Sequence, residues 1–228
     1  MNTGRLAAQR GHSMIELMIA LVVGGISIAA LYAGYAVFVG YHGKLSALAA
    51  ADRSALQVLD VLARDLRAAG YKDFSTTYGP LAGTGVPAVD FSGAIGGIPP
   101  GTCGCNPGES CRVTTVYDLS STQRIGVSYY TRTHAGDRAT RCRLWQRRDQ
   151  WSGSAWTQGR EDVVADWVDN IRFVAGDPQA TGRTYAGLPQ MVSISLQLRA
   201  PAIATTRGTA MSRTYATAVR IRNVALVP

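Results

Sequence analysis

The sequence predicts an α+β protein: one long N-terminal helix, membrane-spanning in its first half, packed through its second half on an antiparallel β-sheet. Three features predict it. An apolar run follows Glu16, and the next formally charged residue is Lys44. From Gly43 onward, Leu45, Leu48, Leu56, Leu59, Leu62 and Leu66 recur at spacings of three or four, or their multiples, which makes one apolar stripe on a helix. Beyond Gly70, short stretches rich in β-branched and aromatic residues read as strands. A helix followed by antiparallel strands is the order of an α+β chain.

The apolar run sets the first element. At ~1.5 Å per residue a helix across it is ~37 Å long, enough for a ~30 Å hydrocarbon core. It is too long for an ordinary secretory signal, whose apolar core has ~7–15 residues. Arg5 and Arg10 precede the run and no acid does. The positive-inside rule therefore holds the N-terminus in the cytoplasm and sends everything after Tyr41 to the other side. A plain anchor accounts for the length and the arginines but leaves Gly11 and Glu16 without a role. A carboxylate inside a membrane segment costs roughly 2.5–3.5 kcal/mol on insertion scales, so it usually has a function or a partner.

The stretch Gly11-His12-Ser13-Met14-Ile15-Glu16-Leu17 resembles the class III prepilin signal of type IV pilins and their relatives. The resemblance implies cleavage by a prepilin peptidase between Gly11 and His12, on the cytoplasmic side, and methylation of the new amine on His12. It makes Glu16 the fifth-position glutamate, which neutralises the amine of a neighbouring subunit in a filament. The family usually has Phe where this chain has His12. The implied organisation is a leader at 1–11, a transmembrane half-helix at 12–41, an amphipathic half-helix at 42–70 and a β-rich pilin domain, periplasmic or extracellular, at 71–228. One near-continuous helix from about Ser13 to Ala69 is expected, with Gly70 as its stop.

The run Leu62-Ala63-Arg64-Asp65-Leu66-Arg67-Ala68-Ala69-Gly70-Tyr71 resembles the helix end of the PilW-type minor pilins, which share the architecture of the J-type pseudopilins of type II secretion. What this implies is a structural subunit of the priming or tip complex of a type IV pilus. Its partners would be other minor pilins, the major pilin, the prepilin peptidase, the inner-membrane platform protein and a tip adhesin. A J-type pseudopilin is the alternative reading, and a DNA-binding competence pilin a second. That pattern often has a cysteine shortly after Gly-Tyr, where this chain has Lys72-Asp73-Phe74.

Residues 79–111 are dense in Gly and Pro and read as a long surface insertion, with one strand near Val86–Phe91. Strands are expected at Arg112–Tyr117, Ile125–Arg132, Arg141–Arg147, Ile171–Val174, Met191–Arg199 and Arg213–Leu226. The helical residues Arg53, Asp60, Arg64, Asp65 and Arg67 are expected mostly off the apolar stripe.

Cys103, Cys105, Cys111 and Cys142 are an even set in an oxidising compartment, which favours two disulfides. C-x-C lies outside the C-x2–4-C spacing of structural zinc sites, so no metal is expected. Cys103 and Cys105 are too close to pair comfortably, so one should join Cys111 and the other Cys142; which does which stays open. No catalytic set and no cofactor motif is present, and an enzyme is not expected.

The formal charge of +8 falls to +6 once Arg5 and Arg10 leave with the leader. The excess is spread along the chain, as on an ordinary solvated surface. Arg138, Arg141, Arg143, Arg147 and Arg148 lie among Trp145, Trp151 and Trp156, the residue types that grip single-stranded nucleic acid. The preferred reading is a β-hairpin turning near Ser152-Gly153-Ser154, arginines outward and tryptophans packing, with no nucleic acid bound.

Overall fold

A computed structural model of the chain describes residues 13–79, 81–93, 95, 103–105, 110–133, 142–176, 191–199 and 212–221. The chain divides into two units, the first ending at Ser46 and the second beginning at Ala47. The fold is α+β: helix α1 (Met14–Ala68) is followed by antiparallel sheets. Gly70, at φ 77°, ends the helix in the left-handed conformation that glycine adopts without steric cost. Its N–H donates to the Val116 carbonyl at 3.0 Å, so the helix stop is tied directly to a strand.

In the second unit, Leu48, Ala55, Val58, Leu59, Leu62, Ala63, Asp65 and Leu66 are buried on α1. The leucine stripe is narrower than expected. Leu45 and Leu56 are 65% and 63% exposed. At ~100° per residue they lie about 100° and 120° around the helix from Leu62. Asp65 departs the other way: it lies inside the buried arc, about 60° from Leu62, and is 3% exposed.

The strands are β1 (Val89–Asp90), β2 (Arg112–Ser120), β3 (Gln123–Thr133), β4 (Cys142–Trp151), β5 (Trp156–Thr157), β6 (Glu161–Ala165), β7 (Val168–Ala175), β8 (Met191–Arg199) and β9 (Ser212–Arg220). One sheet runs β1-β2-β3-β4-β5, with β6 also paired to β4; a second runs β7-β8-β9. β8 has the expected bounds. The last strand runs Ser212–Arg220, and residues 222–226 of the expected strand lie outside the described residues. The stretch from Glu161 to Phe173 contains two strands, because Trp167 adopts φ 59° and turns the chain between β6 and β7.

The larger sheet buries both faces, and the period of two assigns the residues. Val113, Tyr117, Val127, Tyr129 and Leu144 join the core that includes the helix. Val116, Tyr130 and Trp145 pack on the opposite face with Leu81, Val86 and Ile95. The Gly/Pro-rich stretch is therefore, in its described part, a packed layer rather than a surface insertion. Ile95 is 1% exposed and Val86 4%. Gly126 lies under this layer, where a Cβ would force the Ile95 side chain to shift.

Two buried ion pairs tie the chain's loops to that second face. Arg124 donates to Asp118 at 2.7 Å and to the Gly79 carbonyl at 2.9 Å, while Asp118 accepts from the Asp73 N–H. Arg147 pairs with Asp149 at 2.9 Å and donates to the Ile95 carbonyl, and Asp149 accepts the Gly159 N–H. Both arginines are at most 2% exposed. Desolvating such pairs costs about what their attraction returns, so their main effect is on where the loops sit.

The disulfides are Cys103–Cys142 and Cys105–Cys111. The first spans 39 residues and joins the segment around Gly104 to β4. The same segment reaches the other sheet: the Gly104 carbonyl accepts Ile171 N–H at 3.0 Å and the Ser110 carbonyl accepts Phe173 N–H at 2.8 Å. Residues 103–105 and 110–111 thus connect both sheets.

Asp65 fixes the helix against three strands. Its carboxylate accepts hydrogen bonds from Tyr129 Oη at 2.6 Å, Tyr117 Oη at 3.3 Å and Gln146 Nε2 at 3.2 Å. Burial first, then the neighbouring carboxylate, pushes the Tyr117 phenol up to about 12, and the same causes push Tyr129 higher still. A phenol whose folded pKa is raised stabilises the fold fully below the unfolded value, ~10, and loses that contribution as pH rises through the folded value. Stability should therefore fall between about pH 10 and pH 12, with tyrosinate absorbance rising in step. A Tyr117→Phe chain should show a shallower alkaline loss in a pH series of thermal melts.

Candidate functional site

The site is the head of α1. Ser13 precedes the helix and its carbonyl accepts the first helical bond, from Leu17 N–H at 3.2 Å. Glu16 stands in the first turn. Ser13 and Glu16 have the spacing of a capping box, a signal that the sequence itself carries. The helix macrodipole favours a negative charge there by about 0.3–1 kcal/mol, which offsets part of the cost of placing a carboxylate near lipid.

Behind Glu16 the helix is apolar all round and its large side chains face outward: Leu17 is 60% exposed, Leu31 74% and Tyr41 64%. Exposed apolar surface on this scale is foreign to a helix standing in water. The segment is long and apolar enough to cross a membrane. Ser27, a polar side chain inside it, donates to the Val23 carbonyl at 2.8 Å and so brings no unsatisfied hydroxyl into lipid. A Cβ at Gly24, Gly25 or Gly34 would meet nothing within 4 Å. Each of these glycines weakens a helix by about 1 kcal/mol relative to Ala, and packing within the described chain does not require them. In lipid such residues let another helix approach closely.

The other sequence-predicted residues are dispersed. Gly11 and His12 lie outside the described residues, as does Arg141. Arg143 donates to Asp166 at 2.7 Å. Arg147 points inward to its buried pair with Asp149, which corrects the expectation that the hairpin's arginines all face out. Arg148 is exposed and, one residue on, lies on the opposite face of β4. Trp145 and Trp151 are each 8% exposed, and Trp156 packs on Trp151 at 5.2 Å between ring centroids. Among the described residues, Arg143, Arg147 and Arg148 do not form one exposed basic surface, and Arg138 lies outside the described residues. The four cysteines form the two disulfides described above. Among the described residues no His, Cys, Asp or Glu group could hold a metal ion.

An apolar helix with a carboxylate in its first turn, leading into antiparallel sheets, is a pilin-like arrangement. The family model for the prokaryotic N-terminal methylation motif matches residues 6–32. No curated protein and no solved structure matches the chain. The motif places Glu16 and the first half of the apolar run in a segment of type IV pilin or pseudopilin character. Proteins of that kind are structural rather than enzymatic.

Proposed function

We propose that the chain is a minor pilin of the PilW type, a non-catalytic subunit of the priming or tip complex of a type IV pilus. It enters the inner membrane with its N-terminus in the cytoplasm. The peptidase cuts after Gly11 and methylates His12. The apolar helix then leaves the bilayer for the filament core, where other pilin helices take the place of lipid. The observation that carries this reading is one carboxylate, Glu16, in the first turn of a helix that meets no further formal charge until Lys44, inside the methylation motif.

Each step has a physical cause. A lone carboxylate at the edge of an apolar rod is most stable beside a cation, and the mature amine of a neighbouring chain supplies one at the same depth. That pairing sets the stagger between two parallel helices. Other minor pilins, the major pilin, the platform protein and a tip adhesin are the proposed partners.

Deletion of the gene, with fibres sheared from the cells and blotted, tests the assignment. Loss of fibres on deletion, and presence of the protein in wild-type fibres, is the expected result. Normal piliation with loss of secreted enzymes would instead assign it to a secretion filament.

A further inference from the structure

Four cysteines can pair in three ways, and this chain holds Cys103–Cys142 with Cys105–Cys111. The nearest rival exchanges Cys103 and Cys105, giving Cys103–Cys111 with Cys105–Cys142. The folded chain separates the two. Thr131 Oγ1 donates to the Cys103 carbonyl, and the Ile171 N–H donates to the Gly104 carbonyl. Bringing Cys105 to Cys142 slides the segment by two residues and carries both carbonyls away from those donors. The slide also seats Asn106 where Gly104 sits, and a Cβ there stands 3.2 Å from the Cys142 sulfur, at φ 64°.

None of these contacts exists in an unfolded chain, where loop closure chooses the first bridge. Cys111 is 6 residues from Cys105, 8 from Cys103 and 31 from Cys142. Closure falls roughly as the 3/2 power of length, so Cys105 leads Cys103 by a factor of only about 1.5, and Cys142 trails by about tenfold. Both short loops contain Asn106-Pro107-Gly108, so stiffness there does not separate them. Cys142 also leaves the ribosome last, about 2–6 s after Cys111 at ~5–20 residues per second. Wherever Cys103–Cys111 closes first, Cys105 is left for Cys142.

We propose that the chain is a substrate of a thiol–disulfide isomerase, which works on the strip Cys103-Gly104-Cys105. In either pairing this strip supplies one sulfur to each bridge. Cys111 and Cys142 are 3% and 4% exposed, whereas Cys103 and Cys105 are half-buried, so the strip is the more accessible end of both bridges. The exchange is a closed cycle of thiolate attacks. The enzyme thiolate attacks the Cys103 sulfur of Cys103–Cys111, forms a mixed disulfide and expels the Cys111 thiolate. Cys111 attacks the Cys105 sulfur and expels Cys142. Cys142 attacks the Cys103 sulfur and expels the enzyme thiolate. Two disulfides enter and two leave, with no oxidant or reductant consumed. The inference goes beyond the pilin reading and takes from it only the oxidising compartment.

The test uses the full-length protein, reduced and oxidised while unfolded in guanidinium chloride. It is then returned to detergent buffer with reduced glutathione, alone or together with protein disulfide isomerase. Stepwise reduction, alkylation and tandem mass spectrometry read the bridges. Oxidation in denaturant should leave about 40% of the Cys111 bridges on Cys103. In detergent buffer this rival should convert to the native pairing at least about tenfold faster with the enzyme than with glutathione alone. An isomerase variant without its resolving cysteine should be trapped on Cys103 or Cys105. Four results would overturn the proposal: only Cys105–Cys111 formed in denaturant, equal conversion with and without the enzyme, a rival that persists in its presence, or trapping on Cys111 or Cys142.

Discussion

A Glu16→Ala chain is expected to reach the membrane at the normal level and to be missing from sheared fibres. The variant keeps the apolar run from Leu17 to Gly43 and all flanking charges, so insertion has no reason to suffer. Insertion should if anything be easier, since a carboxylate is costly in hydrocarbon. What disappears is the counter-charge for a neighbour's amine, which would have to enter the filament core uncompensated. Glu16→Gln separates charge from shape: it retains the hydrogen-bonding atoms and loses the charge, and it should fail in the same way. Blots of membrane and fibre fractions give both readings from one culture. Recovery of either variant in fibres at the wild-type ratio would count against the pairing.

Asp65→Ala should lower unfolding stability by about 3–5 kcal/mol. Tyr129, Tyr117 and Gln146 all direct hydrogen bonds at this carboxylate, and all three are buried. Truncation leaves their polar atoms without their acceptor, inside the core that joins helix to strands. A loss of this size is a large share of the ~5–15 kcal/mol typical of a folded domain. Asp65→Asn, which keeps one acceptor oxygen, should lose less. Urea unfolding of the full chain, followed by tyrosine fluorescence, measures both. A change below about 1 kcal/mol for Asp65→Ala would mean that the network is ornamental.

The parts of the fold that were legible have a strong period or a strong boundary. Val192, Ile194, Leu196 and Leu198 alternate without exception, and β8 begins and ends where they do. The helix runs from Met14 to Ala68 because the apolar run and the amphipathic stripe share one continuous helical stretch and Gly70 stops it. Asp65 was illegible for the opposite reason. A carboxylate reads as surface unless its partners are known, and those partners stand on β2, β3 and β4, 52 to 81 residues away. The described part of residues 79–111 misled through composition: Gly and Pro rule out regular elements but do not keep Leu81, Val86 and Ile95 from covering a sheet. The disulfide partners of Cys103 and Cys105 depend on how the intervening glycine docks on β7, which spacing alone does not carry. At the site, the acid and the rod behind it were readable at once, whereas the arginines of β4 were separated by strand parity and by a buried aspartate next but one in sequence.

The most direct test of the central claim is the intact mass of the protein purified from its native host. The account predicts a chain that begins at His12 and is about 14 Da heavier than its unmodified residues, the increment of one methyl group on the new amine. A chain that still began at Met1, with its leader uncut and its amine unmethylated, would contradict it.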